Sequence, residues 1–369
     1  MFFLLGDLSF VIHFQMPGNI IKYYQEIGRA GRKIDNAYAV LLVGEEDREI
    51  SEYFIENAFP KRQQLENILS IIENSYSGLN INELCKVVNM TQSAIKKCLS
   101  LLDLNKIIAK DKSKYFRTTY PYNYEDFKVE EVLETRYKEL ALMEDYINTE
   151  ECYMKFLANE LDDATGNECG KCCNCINKKY FPSEVEKDSI LKAENFLKNR
   201  VIKITPRKQW PAGVVGAGMK RIPKDKLNEV GRVLADYGDF GYGEIIEQDK
   251  YKNNYFRDEL VTATIDVIRN KWAELTHIDC VAAVPSLRRP ELVKSFAKRV
   301  AKELGVEFID IIVKPKETEQ QKVMENSNMQ ARNAYNAFKV IKNVNYDNVL
   351  LANLIMIVML LCFCAVILL

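Results

Sequence analysis

The sequence predicts a multidomain protein of mixed α/β and α+β character, and three observations carry that prediction. Its 369 residues allow two or three domains at roughly 150 residues each. Strand–helix–strand patterns lie near both ends, with a helical stretch and a hairpin-like alternation between them. Five of the ten cysteines fall between Cys152 and Cys175, a clustering that marks off a metal-holding module rather than a disulfide framework. Composition supports a folded chain: 47% hydrophobic and 28% charged residues exclude disorder as the dominant state. With 51 Lys and Arg against 52 Asp and Glu the net charge is −1, which rules out a wholly basic nucleic-acid binder.

Taken in order, the chain opens on a short apolar run, Met-Phe-Phe-Leu-Leu, too brief and too uncharged to be a secretory signal. Residues 9–43 read as strand, helix, strand. Phe10-Val11-Ile12 is apolar, Pro17-Gly18-Asn19 can start a helix, and Ala39-Val40-Leu41-Leu42-Val43 is a buried strand. Between them, Gln25-Glu26-Ile27-Gly28-Arg29-Ala30-Gly31-Arg32 puts two glycines and two arginines in one loop. Taken alone, such arginines could equally pair with surface carboxylates. His13, alone between apolar residues, reads as a packed core histidine. Residues 45–60 form an amphipathic helix stopped by Pro60.

From Lys61 to Arg117 the pattern becomes three helices and two short strands. Leu65, Ile68, Leu69 and Ile72 mark the first helix, Ile81, Leu84, Val87 and Val88 the second, and Ile95, Leu99 and Leu102 the third. Thr91 is placed to cap the third. This is the winged-helix order, in which the third helix can enter a major groove. The segment holds ten Lys and Arg against five Asp and Glu. Lys96, Lys97, Lys106, Lys110, Lys112 and Lys114 lie on the third helix and the wing, either as a solvated basic face or as contacts to DNA phosphates.

Residues 126–161 read as one or two amphipathic helices leading into the cysteines. Cys152, Cys169, Cys172 and Cys175 are spaced C-x16-C-x2-C-x2-C. Two-residue gaps let thiolates converge on one ion, Gly170 supplies a tight turn, and four sulfurs close a structural Zn2+ site with no position open for water. The alternative is a set of unligated thiols. Cys173 reads as a bystander. A charged linker follows, and residues from about Lys203 onward look α/β, with Val281–Val284 as a buried strand, Pro290–Leu304 as a helix and Phe308–Val313 as a strand. Leu354–Leu369 carries no charged or polar residue except cysteine. It is short for a membrane span and reads as a shifted reading frame, a tail anchor or a buried element, in that order of preference.

Phe10–Pro17 followed by Tyr23–Arg32 resembles the end of the second motor domain of RecQ-family DNA helicases, where Q-x-x-G-R-x-G-R is helicase motif VI. The cysteine spacing downstream resembles the RecQ zinc pattern. The resemblance implies a RecA-like fold for the start of the chain. It also implies that Arg29 and Arg32 reach the ATP γ-phosphate across a domain cleft, with Gln25 helping to position the nucleotide. Such helicases use ATP and Mg2+ to unwind duplex DNA in recombination and repair. Here the winged-helix-like segment sits between motif VI and the cysteines, whereas the shortest family members place it later. No G-x-x-x-x-G-K-[ST] loop and no D-E-x-H box occurs in the sequence, so the chain alone is not expected to hydrolyse ATP. It reads as a fragment whose first motor domain could come from a separate chain.

Residues 203–350 resemble the phosphoribosyltransferase-like extension of some bacterial RecQ proteins through Thr205–Pro211, Tyr237-Gly238-Asp239, Asp258–Val261, Val284–Leu292 and Gln320-Gln321-Lys322. The acidic pair and the phosphate-cradling loop that should follow Asp347–Leu351 are missing, so transferase activity is not expected. The expected organisation is 1–60 as the end of a RecA-like domain and 61–118 as a winged helix. A zinc module at 119–182 and a linker at 183–202 follow, then an incomplete phosphoribosyltransferase-like domain at 203–351 and the apolar tail at 352–369. The expected partner is DNA, duplex, forked or single-stranded, in a bacterial cytoplasm and associated with the nucleoid. A phosphoribosyltransferase-like enzyme and a membrane-tethered interaction protein are the competing readings.

Overall fold

In a computed structural model the chain divides into two units, Met1–Leu84 with Gln92–Ser183 and Cys85–Thr91 with Glu184–Leu369. The structure describes residues 8–163, 165–182, 184–210, 221–224, 227–235, 238–272, 275, 277–315, 317–334, 337–341, 346–353 and the backbone of 357–362. Pro211, Tyr237, the first seven residues and tail residues 354–356 and 363–369 lie outside the described residues.

The first unit begins with β1 (Phe10–His13), α1 (Ile20–Ile27), β2 (Tyr38–Leu41) and α2 (Asp47–Glu56). The two strands pair in parallel, Phe10 opposite Tyr38, because the α1 crossover returns the chain in the same direction. Asn19 starts α1 by accepting the Lys22 N–H at 2.8 Å. Next come α3 (Arg62–Glu73), α4 (Ile81–Val87), α5 (Gln92–Leu104), β3 (Ile108–Asp111) and β4 (Lys114–Arg117), the expected three helices and hairpin. Asn80 and Glu83 close a reciprocal capping box at the start of α4. Leu65, Ile68, Leu69, Ile72, Leu84, Ile95, Leu99 and Leu102 are all buried. Val87, expected inside, is exposed, since Leu84, Cys85 and Val88 already fill the inward stripe of this short helix. A bridge from Leu79 to Tyr115 extends the hairpin. It requires Gly78, at φ +63°, where a Cβ would strike the Phe116 ring at 2.5 Å.

Two further helices, α6 (Val129–Asn148) and α7 (Tyr153–Glu160), and one short turn of helix, α8 (Cys173–Ile176), complete the unit. Met16, Ile20, Tyr23 and Ile55 pack with Leu140, Met143, Tyr146 and Leu157 in one core. The motif-bearing start of the chain is thereby seated on the helices that lead to the cysteines.

In the second unit, the stretch expected as a linker carries α9 (Lys187–Asn199). Its Lys and Glu content hid the helix from a composition reading, and none of its residues is buried. The elements that follow are β5 (Ile202–Ile204), β6 (Gly231–Val233), α10 (Tyr242–Gln248), α11 (Asp258–Asp266), β7 (Cys280–Ala283), α12 (Pro290–Leu304), β8 (Glu307–Ile309), β9 (Ile312–Val313), α13 (Ser327–Ala334), β10 (Lys339–Val340), β11 (Asn348–Ala352) and β12 (Ile357–Cys362). The expected single strand over 308–313 is two, β8 and β9, which join different sheets. The main sheet runs β5-β6-β12-β11-β7-β8, with β8, β7 and β11 parallel and β12 antiparallel to β11. Alternation divides its core as a two-sided sheet requires. Val281, Leu350 and Ala352 join a cluster containing residues of α11 and α12, while Cys280, Ala282, Val349 and Leu351 join a second with Ile309 and Ile312. The apolar tail thus contributes a strand, and among the described residues no helix is long and apolar enough to cross a membrane.

Candidate functional site

The four cysteines predicted to share a metal converge, with one sulfur from each lying within 4.8 Å of the others. Their positions follow from local structure. Cys152 is buried at the N-cap of α7. Gly170, at φ +64°, turns the chain so that Cys169 and Cys172 approach the same point, and Cys172 caps α8, which carries Cys175. Cys172 and Cys152 sulfurs stand 3.9 Å apart, and those of Cys169 and Cys175 4.0 Å. Tetrahedral zinc with bonds of about 2.3 Å places its sulfurs about 3.8 Å apart, so this donor set fits that ion.

Backbone N–H groups already point at the sulfurs. Cys169 N–H donates to Cys152 Sγ at 3.2 Å, and the N–H groups of Cys172 and Lys171 donate to Cys169 Sγ at 3.3 and 3.4 Å. Burial opposes ionisation of Cys152, yet N–H donors from Cys169 and Lys155 and the neighbouring thiols outweigh it and hold the group at about 6. Burial likewise opposes ionisation of Cys172, but the Cys175 and Tyr153 N–H groups favour the thiolate and bring the group below the ordinary thiol value. Burial and the hydrogen bonds shared with the Cys172 and Cys152 sulfurs instead push Cys175 up to about 12. Four thiolates this close would repel one another, and a bound cation would supply the balancing charge.

Two holding groups were not legible in the sequence. Asn174 Nδ2 donates to the carbonyls of Thr149 and Glu151, at 2.9 and 2.7 Å, fastening the knuckle to the loop before α7. Tyr180 Oη donates to the Lys171 carbonyl at 2.8 Å. The one available signal for Asn174 was its place between two ligands.

An aromatic row, buried at Tyr23 and Tyr146 and half-buried at His13 and Tyr153, joins this centre to α1. The His13 ring packs tilted at 5.1 Å from Tyr23, Tyr23 at 5.2 Å from Tyr146, and Tyr146 at 5.3 Å from Tyr153, the neighbour of Cys152. His13 is packed as expected, and its Nε2 is 2.8 Å from Glu26. Gln25 stands on the last turn of α1, and Arg29 and Arg32 in the loop immediately after it; all three side chains are exposed. Arg32 Nε donates to the Gly28 carbonyl at 3.2 Å, and Gly31 at φ +74° closes the loop onto the Leu8 carbonyl. Gln25, Arg29 and Arg32 are thus brought to one end of one helix.

The six lysines are less unified. Lys106, Lys110, Lys112 and Lys114 sit on the hairpin and the turn entering it, and Lys96 and Lys97 on α5. Lys97 Nζ donates to the Asn57 carbonyl and Lys114 Nζ to the Ser77 carbonyl. Lys106 and Lys110 lie over the rings of Tyr120 and Tyr115 at 5.9 and 5.7 Å. Lys96 and Lys112 are exposed.

No family model matches the sequence. The chain is 27% identical over 180 residues to the ATP-dependent DNA helicase RecQ of Synechocystis sp., a match that covers 46% of this chain and 35% of that protein. The chain therefore spans about a third of the length of the curated relative it matches. The similarity is partial and weak, and it relates this chain, with its converging cysteines, to RecQ helicases.

Proposed function

We propose that this chain is a zinc-stabilised, DNA-binding part of a RecQ-type 3′→5′ DNA helicase. The observation that carries the reading is the order of two features in one unit: the Q-E-I-G-R-A-G-R loop at the end of α1 and, downstream, four cysteines whose sulfurs lie within 4.8 Å of one another. In this reading Cys152, Cys169, Cys172 and Cys175 hold Zn2+. The three helices and hairpin over 61–118 act as a winged helix that meets DNA phosphates through Lys96, Lys97, Lys106, Lys110, Lys112 and Lys114. Gln25, Arg29 and Arg32 serve a nucleotide whose phosphate loop and Mg2+ carboxylate come from residues outside this sequence, on the same or a separate polypeptide. The α/β region over 203–351 is a phosphoribosyltransferase-like extension without transferase chemistry. The test is fluorescence anisotropy with forked DNA. The reading expects binding at low ionic strength that weakens steeply as salt is added; no salt-dependent binding would overturn it.

A further inference from the structure

The second unit carries an exposed aromatic and cationic surface that none of the roles above uses. After α10 the chain makes a π-helical turn over Asp249–Asn253; Tyr251 on it and Tyr255 just after it are 54% and 45% exposed. Both rings are braced by cations. Arg289 Cζ lies 5.2 Å and Lys250 Nζ 5.0 Å from the Tyr251 ring centre. Arg299 Cζ lies 4.4 Å from that of Tyr255. Arg299 is itself fixed, donating to Asp258 at 2.6 Å and to the Phe256 carbonyl, so the Tyr255 ring is backed by a held guanidinium.

Charge sorts the surrounding groups. Asp249 is buried and fully engaged by Arg257 and Asn253, and Asp258 is engaged by Arg299. Among the described residues, Lys252, Arg288 and Arg289 make no ion pair with a carboxylate, and Lys252 and Arg288 are exposed. Leu287, 51% exposed, adds an apolar contact beside them. Solvent-facing rings, one backed by a held guanidinium, beside Lys252, Arg288 and Arg289, which among the described residues make no carboxylate ion pair, match what an unpaired nucleic-acid strand offers: flat base faces and a phosphate at every step. A duplex hides its base faces and would use only the cations.

We propose that Tyr251 and Tyr255 stack unpaired bases of a single-stranded nucleic acid while Lys252, Arg288 and Arg289 contact its phosphates. The proposal does not depend on the winged-helix lysines.

The test uses the full chain and two labelled probes, oligothymidylate and oligouridylate, with a blunt DNA duplex as control. Replacing both rings, Tyr251→Ala with Tyr255→Ala, is expected to weaken binding of at least one single-stranded probe by about 10-fold or more, leaving the duplex unaffected. The Tyr251→Phe, Tyr255→Phe pair retains the rings and is expected to bind as the parent does, which also guards against a folding defect. Carrying Lys110→Glu, Lys112→Glu and Lys114→Glu in the background separates this proposal from the winged-helix reading, because single-strand binding should survive them. Unchanged affinity of the double alanine variant for both single-stranded probes would overturn the proposal, as would an equal loss in the phenylalanine pair.

Discussion

Removing the metal should dismantle α7 and α8 while sparing α3 to α5, and the structure sets the scale. Among the described residues of 149–182 only Cys152 and Leu157 are buried. Burying one leucine contributes about 2 kcal/mol, whereas a structural zinc contributes on the order of 10 kcal/mol in small thiolate sites. On the proposed reading, a bound ion would therefore do more than that one leucine to hold the knuckle together. In contrast, α3 and α5 keep Leu65, Ile68, Ile72, Leu99 and Leu102 buried without help from any cysteine ligand. The assay is hydrogen exchange with mass spectrometry before and after chelation, with the metal counted by elemental analysis. One zinc per chain is expected, together with loss of amide protection over 152–176 and its persistence over 62–104. Metal-free protein that keeps full protection over 152–176 would refute the reasoning.

Three more outcomes follow from the same contacts. Asn174→Ala removes both bonds that fasten the knuckle to the Thr149 and Glu151 carbonyls and should weaken zinc affinity at least 10-fold in a competitive chelator titration. Leu99→Ala, at a buried site of α5, should cost about 2 to 5 kcal/mol in denaturant unfolding of the first unit. Burial pushes the Cys98 thiol up to about 12 from its ordinary 9, so the fold favours the protonated form. That contribution is complete below pH 9 and is lost as pH rises toward 12; Cys98→Ala should flatten the alkaline decline in thermal midpoint relative to the parent chain.

Much of the architecture was legible because local signals and burial agreed. Pro290 at the first turn and Gly305 at φ +74° just after Leu304 bracket α12 as the sequence implied. The two-residue cysteine gaps located the four-cysteine cluster, since a knuckle is a local structure. What failed was governed by distant partners. Strands β5 and β6 are three residues each, too short to show a period, and Arg232 on β6 is buried against the Trp272 ring and the Val230 and Gly231 carbonyls, which no charge pattern announces. The break between β8 and β9 reflects pairing with different strands, β7 and β10. The Lys and Glu content of 183–202 reads as a solvated linker, and α9 within it is exposed, including Ile190, Leu191 and Phe196. The aromatic row from His13 to Tyr153 joins segments far apart in sequence, so spacing alone could not reveal it.

The central claim, that a basic hairpin in a zinc-stabilised unit meets DNA phosphates, is tested most directly by the salt dependence of forked-duplex binding in the parent chain and in a Lys110→Glu, Lys112→Glu, Lys114→Glu variant. Each phosphate contact contributes about 0.9 to the slope of log affinity against log salt. The account predicts that the variant binds more weakly and that its slope is shallower by about 2 to 3. Equal affinity and equal slope in the two proteins would contradict it.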